Sequence, residues 1–151
     1  VMRHHQKYFS VETAEGKLAP HFVAVMNTHA DPDGLVRHGN ERVLRARFND
    51  ARFFYDTDQK KPLRDRVADL ANVTFQAQLG SYLAKTERVV ALVTELGGSA
   101  EAQEAARLAK TDLTTEMVKE FTELQGQIGG LYAEAQGHSR AVGRAIYEHY
   151  K

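Results

Sequence analysis

Residues 39–55 read GNERVLRARFNDARFFY, and this stretch decides how the N-terminal part of the chain is predicted to fold. Apolar side chains recur at helical spacing on one stripe, at Leu44, Phe48, Ala51 and Tyr55. Arginines recur on a separate stripe, at Arg42, Arg45 and Arg52. The spacing predicts an amphipathic helix from Glu41 to about Tyr55, with Asn40 as its N-cap. One face of this helix can pack, and the other can present guanidinium groups.

The sequence before this helix has the residue types of a β-hairpin. Residues 7–12 and 21–26 are rich in aromatic and β-branched residues, and Glu15-Gly16 lies between them as a turn. After the helix, Pro62 breaks the helical pattern. Residues 61–80 are therefore predicted to form a short helix followed by an irregular connector.

Residues 81–151 are predicted to be all helical. Serine N-caps are expected for three of the helices, at Ser81, Ser99 and Ser139. The second of these helices is expected to run on to Val118 or Phe121, and the last is still running where the sequence ends, as in a piece of a longer protein. The predicted fold class is thus α+β, with a hairpin-containing α+β lobe at residues 1–78 and a helical region at 79–151.

The composition is that of a folded protein and excludes several classes of function. The chain has 151 residues, with 20 Lys plus Arg, 20 Asp plus Glu and 42% hydrophobic residues, which excludes a disordered or fibrous protein. The net charge of zero removes the simplest argument for nucleic-acid binding, a strongly basic domain. The lack of cysteine excludes thiol catalysis and Cys-ligated metals. No apolar run is long enough to cross a bilayer, so we expect a cytoplasmic protein with no membrane partner.

Two histidine-containing clusters resemble metal sites, but both have a simpler explanation. His29 with Asp31 and Asp33 lacks the ligand spacing of a calcium loop, so we expect a solvated polar turn. His4 and His5 are neighbours, and neighbouring side chains of a strand point to opposite faces, so the two cannot easily hold one ion. The sequence therefore predicts no metal site.

The arginine stripe is the strongest physical signal in the sequence. Guanidinium groups on one helical face suit bidentate contacts with phosphates. The hairpin region adds cationic and stacking groups, at Arg3, Lys7, Tyr8 and Phe9. The alternative is a solvated helix face whose arginines pair with Glu41 and Asp56. Both interpretations remain open at this stage.

Several segments of the sequence match segments of a known family, and they occur in the same order. They are MRHHQKYF at residues 2–9, GNERVLRARF at 39–48, DARFFY at 50–55, KKPL at 60–63, KTER at 85–88 and TEMV at 115–118. In these segments and in their order, the chain closely resembles the β-subunit of bacterial heterotetrameric glycyl-tRNA synthetase. The resemblance extends from one end of the chain to the other.

The resemblance implies that the chain is an internal piece of a larger β-subunit and reaches into its HD-like helical domain. In that family, glycine is activated with ATP and Mg²⁺ on the separate α-subunit, while the β-subunit holds glycine tRNA and helps to assemble the complex. The implied partners are the α-subunit, glycine tRNA and the rest of the β-subunit, and no cofactor is expected in this chain. The candidates for tRNA contact are Arg3, His5, Lys7, Tyr8, Arg42, Arg45 and Arg52.

The HD-like domain that the resemblance implies can be tested in the sequence. Metal-dependent HD phosphohydrolases need a His-Asp pair together with further His and Asp ligands. Here the expected pair position reads Thr111-Asp112, and no histidine lies between Gly39 and Gly137. This argues against a phosphohydrolase and for a helical scaffold without the metal site. A purely structural module that packs against other parts of the synthetase without contacting RNA is the nearer alternative.

Overall fold

Two compact units make up the described part of the chain. The computed structural model describes residues 2–28 and 30–151, and for His4 and His5 it describes the backbone alone. The described residues up to Arg52 form the N-terminal unit, and residues 53–151 form the C-terminal unit. Helices combine with two small antiparallel sheets, which confirms the predicted α+β class. These are packing units of this chain, and the predicted domains at 1–78 and 79–151 stay a prediction.

The N-terminal unit contains the predicted β-hairpin. Strands β1 (Tyr8–Glu12) and β2 (Leu18–Ala24) pair antiparallel, with Tyr8 opposite Ala24. In the turn, Gly16 has a φ of 75°, a left-handed conformation that glycine adopts without the steric cost of a Cβ atom. The turn signal at Glu15-Gly16 therefore marked the correct position.

A short π-helical segment, Met2–Gln6, precedes β1. His4 and His5 lie in this segment rather than in a strand, so the argument that placed their side chains on opposite faces of a strand is wrong. Lys7 joins the segment to β1 with a φ of 58°, a left-handed conformation that is uncommon for a residue other than glycine. The strand accordingly begins at Tyr8.

Helix α1 (Leu35–Asp58) carries the arginine stripe, and it begins earlier than predicted. Asn40 is not its N-cap. The Asp31 carboxylate instead accepts hydrogen bonds from the amide groups of Val36 and Arg37, at 3.1 and 3.0 Å, and so satisfies two amides of the first turn. These two hydrogen bonds lower the pKa of Asp31 below its ordinary value, and the bond from Arg37 has the larger effect.

The C-terminal unit consists mainly of helices. After the end of α1 it contains α2 (Leu63–Arg66), β3 (Thr74–Gln76), β4 (Gly80–Ser81), α3 (Tyr82–Glu95), α4 (Ala100–Leu108), α5 (Glu116–Glu120), α6 (Gln127–Ala135) and α7 (Arg140–Glu148). Short 3₁₀ segments lie at Ala68–Asn72, Thr111–Thr114 and Thr122–Leu124. The three predicted serine caps are confirmed, because each hydroxyl oxygen accepts a hydrogen bond from the amide group three residues further on. No helix within the described ranges is long and apolar enough to cross a membrane.

Three predictions for this unit are wrong, the first being that the last helix is still running at the end of the sequence, since α7 ends at Glu148. Residues 74–81 form a small β3–β4 hairpin instead of an irregular connector. The helix that starts after Ser99 ends at Leu108, because the Thr111 hydroxyl group donates to the Leu108 carbonyl oxygen and Thr115 then caps a separate helix, α5. Threonine side chains that bond to nearby backbone therefore divide the single helix that was expected.

A hydrophobic core and a buried ion pair hold the C-terminal unit together. The core side chains are Leu63, Leu70, Ala105, Leu108, Met117, Val118, Phe121, Ile128, Tyr132, Ala133, Val142 and Ile146. Asp58, at the end of α1, lies 3.2 Å from Arg66 Nη2 and is 1% exposed. Its carboxylate also accepts hydrogen bonds from the amide groups of Glu116 and Met117. One carboxylate thus connects the end of α1 to α2 and α5.

Candidate nucleic-acid interface

Three exposed arginines follow one face of α1. Arg42, Arg45 and Arg52 lie at positions i, i+3 and i+10 of the helix, and all three side chains are exposed. With the helical rise of about 1.5 Å per residue, the stripe is about 15 Å long. Among the described residues, none of these three side chains makes an ion pair or a hydrogen bond, and Glu41 lies 4.0 Å from Arg37 instead. Within the part of the chain that the structure describes, the stripe is therefore positive charge without an ion-pair partner, and it lies on a rigid element.

An open cleft lies beside the arginine stripe, within the N-terminal unit. Its volume is about 790 Å³, and it lies between β2 with its following residues and the first half of α1. Apolar side chains line most of it: Leu18, Pro20, Phe22, Met26, Leu44 and Phe48. Arg45 lines it too, whereas Arg42 and Arg52 do not. Because Leu18 is 70% exposed and Phe48 47% exposed, the apolar wall of the cleft is open to solvent.

The candidate tRNA-contact residues in the segment 2–9 differ in how exposed they are. The side chains of Arg3 and Lys7 are exposed, as a phosphate contact requires. Tyr8 is only 7% exposed: its ring centroid lies 4.9 Å from that of a phenylalanine of β2, and its hydroxyl group donates to Asn40 Oδ1 at 2.9 Å. Tyr8 thus has a packing role, and its ring is not open for stacking on a base. The side chain of His5 lies outside the described residues.

A buried carboxylate lies at the predicted HD position. Asp112 is fully buried, and its Oδ2 atom accepts a hydrogen bond from the Gly126 amide group at 2.6 Å. Burial raises its pKa to about 6. Nowhere in the described ranges do three or more His, Cys, Asp or Glu side chains come together in a way that could hold a metal ion. Of the predicted polar turn, His29 lies outside the described residues, and Asp31 caps α1.

A second group of cations, which no sequence pattern predicted, lies in the C-terminal unit. Lys85 Nζ lies 4.0 Å from the ring centroid of Phe75, and Lys110 Nζ lies 3.6 Å from that of Tyr150. Lys110 Nζ is also 2.7 Å from Nε2 of His149. We call these five residues the lysine-aromatic cluster. Each of these lysine contacts joins residues that are not neighbours in the sequence, so no local motif signals them.

Comparison with known proteins identifies the family. The model of the family described as glycyl-tRNA synthetase beta subunit matches residues 1–151. The chain belongs to the glycyl-tRNA synthetase beta-subunit family. It is 56% identical to the glycine-tRNA ligase beta subunit of Acidobacterium capsulatum and 52% identical to that of Myxococcus xanthus. Each alignment covers 99% of the chain, but only 23% and 22% of the two relatives, so the chain spans less than a quarter of their length.

The family assignment confirms the resemblance but gives no residue a role. For this member of the glycyl-tRNA synthetase beta-subunit family, the structure presents two cationic surfaces, one in each unit. The first is the arginine stripe of α1, which the sequence predicted from its period. The second is the lysine-aromatic cluster, which only the folded chain reveals. The HD-like label stays a prediction.

Proposed function

We propose that the longer protein takes part in glycyl-tRNA aminoacylation and that this part of it helps to hold the tRNA. The family supports the first half of the proposal, since the relatives are named glycine-tRNA ligase beta subunits. The observation that carries the second half is the arginine stripe of α1, which is exposed and has no ion-pair partner among the described residues. Exposed arginines with no intramolecular partner are available to a polyanion.

The rest of the proposal concerns where the chemistry takes place. The catalytic step belongs to a separate α-subunit, which binds ATP and Mg²⁺, and this chain has no active site of its own. Its partners are the α-subunit, glycine tRNA and the rest of the β-subunit, and the complex acts in the cytoplasm. The helical part of the chain serves as an HD-like scaffold.

The arginine stripe binds the RNA backbone through charge and geometry. Each guanidinium group can donate two parallel hydrogen bonds to phosphate oxygens. Because a helix carries all three groups, their spacing is fixed over about 15 Å, and contacts of this kind position an RNA rather than read its bases. Arg3 and Lys7 are exposed and add charge to the same unit. No ion pair among the described residues has to break before the stripe meets a phosphate.

A scaffold without RNA contact is the second candidate, and the cleft beside the stripe favours it. An apolar segment of protein could cover the exposed Leu18 and Phe48 side chains, and a carboxylate on that segment could neutralise Arg45. Arg42 and Arg52 do not line the cleft, so such a partner leaves both of them free. The two functions therefore differ in what they predict for these two arginines.

The test is tRNA binding by the full-length β-subunit with its α-subunit, measured across a salt series. Changing Arg42, Arg45 and Arg52 together to Gln should weaken binding. It should also reduce the slope of log affinity against log salt by about 2 to 3, because three phosphate contacts no longer release counterions. The matched control removes the same charge from exposed helical positions of the C-terminal unit: Arg107→Gln, Arg140→Gln and Arg144→Gln.

A double variant separates the two candidate functions. Arg42→Gln with Arg52→Gln should reproduce about two thirds of the change in salt slope if the stripe binds RNA, and none of it if Arg45 alone meets a protein segment. A triple variant with the affinity and salt slope of the unchanged protein would exclude the stripe as a tRNA contact.

A further inference from the structure

Strand β2 of the N-terminal unit has a free edge. Within the described ranges it pairs with β1 alone, and no backbone hydrogen bond joins it to any other element. Successive residues of an antiparallel strand direct their backbone groups to alternate sides, so the side of β2 away from β1 presents unpaired amide and carbonyl groups. A strand edge of this kind is a template for pairing with a further strand.

The open cleft of the N-terminal unit runs along this free edge. Every residue of β2 except Val23 lines the cleft, whereas β1, at the other edge of β2, contributes none of the described lining residues. Neighbouring side chains of a strand point to opposite faces, so a cleft over one face would be lined by every second residue. Lining by consecutive residues therefore places the cleft at the edge of β2. Across the cleft lie Leu44 and Phe48, about one turn apart on α1.

The N-terminal unit has too small a core to fold well without a further layer. Among the described residues, its buried hydrophobic side chains are Tyr8 and Leu44 alone, while Leu18, Phe22 and Phe48 line an open cleft. A two-stranded hairpin and one helix with so little burial gain little from folding. Whatever fills the cleft has to be present whenever the unit folds. This requirement favours a segment of the same protein over a separate molecule.

We infer that the free edge of β2 pairs with a further strand, which a part of the longer protein outside residues 1–151 supplies. The chain spans less than a quarter of the length of its relatives, so most of the longer protein is available for this role. The pairing involves residues 22–24, beyond Pro20, which has no amide group to donate. Alternate side chains of the added strand are apolar and pack against Leu44 and Phe48.

The added strand goes beyond the proposed function and does not depend on it. Arg42 and Arg52 do not line the cleft, so a strand that fills the cleft leaves both arginines available to RNA. The strand gives the apolar segment of the second candidate function a conformation and a source. An RNA chain does not suit the cleft, because its walls are mostly apolar and the edge of β2 offers the hydrogen-bonding pattern of a polypeptide strand.

The experiment measures hydrogen exchange at single backbone amides of β2 in the full-length β-subunit. At residues 22–24 the register with β1 is regular, so either Val23 or its two neighbours, Phe22 and Ala24, direct their amide groups away from β1. If β2 is an edge strand, the amides on that side should exchange about 100-fold faster or more than those on the other side. With the added strand in place, all three should exchange slowly, within about 10-fold of one another.

A variant in the wall of the cleft tests where the strand lies. Phe48→Asp places a charge against the added strand, so the amides on the outer side of β2 should lose their protection while those that pair with β1 keep it. One stretch of the protein outside residues 1–151, the added strand itself, should lose protection with them. The matched control is Val43→Asp: Val43 is 44% exposed on the same helix, against 47% for Phe48, but it does not line the cleft. This control should leave the protection of β2 unchanged.

Several outcomes would overturn the inference. Fast exchange on the outer side of β2 in the unchanged β-subunit would show that the edge is free. Protection that requires the α-subunit, or that depends on protein concentration, would assign the strand to the α-subunit or to a second copy. Protection that survives Phe48→Asp would place the strand outside the cleft.

Two features keep the result interpretable. If Phe48→Asp unfolds the N-terminal unit, all three amides lose protection, and the comparison within the unchanged protein decides. The proposed function is tested separately, by tRNA binding of the arginine variants, so an unprotected β2 edge leaves it standing. Loss of the tRNA effect would likewise leave the added strand standing.

Discussion

The two units of the chain differ in how many of their hydrophobic side chains they bury. Of the buried hydrophobic side chains in the described residues, the N-terminal unit holds only Tyr8 and Leu44, and the C-terminal unit holds the others. Both units expose large apolar side chains, for example Val25 at 82% in the N-terminal unit and Leu96 at 85% in the C-terminal unit, but only the C-terminal unit also has an extensive core. A two-stranded hairpin and one helix with so small a core gain little from folding alone. The C-terminal unit has the burial of an independent domain, whereas the N-terminal unit offers surface for contacts.

Charged residues show the same contrast. The C-terminal unit buries the Asp58–Arg66 ion pair and Asp112, and it satisfies most of their hydrogen-bonding groups internally. The N-terminal unit leaves its arginine stripe exposed and without partners among the described residues. Buried charge contributes to the specificity of a fold, while exposed and unpaired charge is available to a ligand. We therefore expect substitutions in the C-terminal unit to act mainly on stability.

The largest expected effect comes from breaking the buried ion pair. Asp58→Ala leaves the Arg66 guanidinium group buried without its carboxylate and leaves two amide groups of α5 without an acceptor. The free energy of unfolding should fall by about 3–5 kcal/mol. Urea unfolding followed by tyrosine fluorescence measures this, because the chain has no tryptophan and five of its six tyrosines belong to the C-terminal unit.

The control for that variant is Asp56→Ala. Asp56 is exposed on the same helix, two residues earlier, and its loss should change the free energy of unfolding by no more than about 0.5 kcal/mol. Equal effects of the two substitutions would mean that the ion pair does not stabilise the C-terminal unit, and the contrast between the units would lose its energetic basis.

The next-largest expected effect is the dependence of the free energy of unfolding on pH, which has opposite signs for a carboxyl group in each unit. Burial raises the pKa of Asp112 from 3.8 to about 6, so between these values the folded state binds more protons than the unfolded state. The contribution of Asp112 to stability therefore falls as the pH rises through this window, by on the order of 3 kcal/mol. The pKa of Asp31 is lowered by its bonds to the first turn of α1, so its contribution is present above the ordinary value and is lost as the pH falls.

Asparagine variants of Asp112 and of Asp31 measure the two contributions to stability separately. Urea unfolding between about pH 4 and about pH 7 should show the stability of the unchanged chain falling relative to Asp112→Asn as the pH rises. Relative to Asp31→Asn, the stability should stay level over this range and should fall only as the pH decreases below 3.8, the ordinary pKa of Asp31. A difference from Asp112→Asn that is constant over this range would contradict the burial of an ionisable group at that position.

Local signals in the sequence predicted the elements that depend on a few neighbouring residues. The hairpin turn at Gly16, the break at Pro62 and the serine caps all involve contacts within about four residues, and all three kinds were found. The start of α1 was missed because Asn40 satisfies the local rule for an N-cap. Asp31 supplies the capping group from outside the helix, and Asn40 accepts a hydrogen bond from Tyr8 instead.

The candidate site divides in the same way. The arginine stripe was predictable because a helical period within one element places the three side chains on one face. The lysine-aromatic cluster was not, because only the packing of the folded unit places Lys85 over the ring of Phe75 and Lys110 over that of Tyr150. Tyr8 was taken for a stacking group because the pattern of a strand does not show which of its aromatic side chains is covered by a helix.

The smallest expected effects on stability come from changing a helical glycine to alanine in each unit. Gly39 lies inside α1, and a Cβ atom added there meets nothing within 4 Å. Gly39→Ala should therefore raise the free energy of unfolding by about 0.5–1 kcal/mol, since alanine favours a helix over glycine. Gly130 lies in α6, where an added Cβ atom would come within 2.6 Å of the Gly143 carbonyl oxygen and 2.9 Å of the Tyr147 amide nitrogen, both in α7.

Because those neighbours are backbone atoms, they can give way only if the two helices move apart. Gly130→Ala should therefore lower the free energy of unfolding by about 1–3 kcal/mol in the same urea experiment. A tolerated Gly130→Ala would show that α6 and α7 do not pack closely, and a destabilising Gly39→Ala would show that this face of α1 is covered rather than open. Either result would remove the contrast between a closed C-terminal unit and an N-terminal unit that is open to contacts.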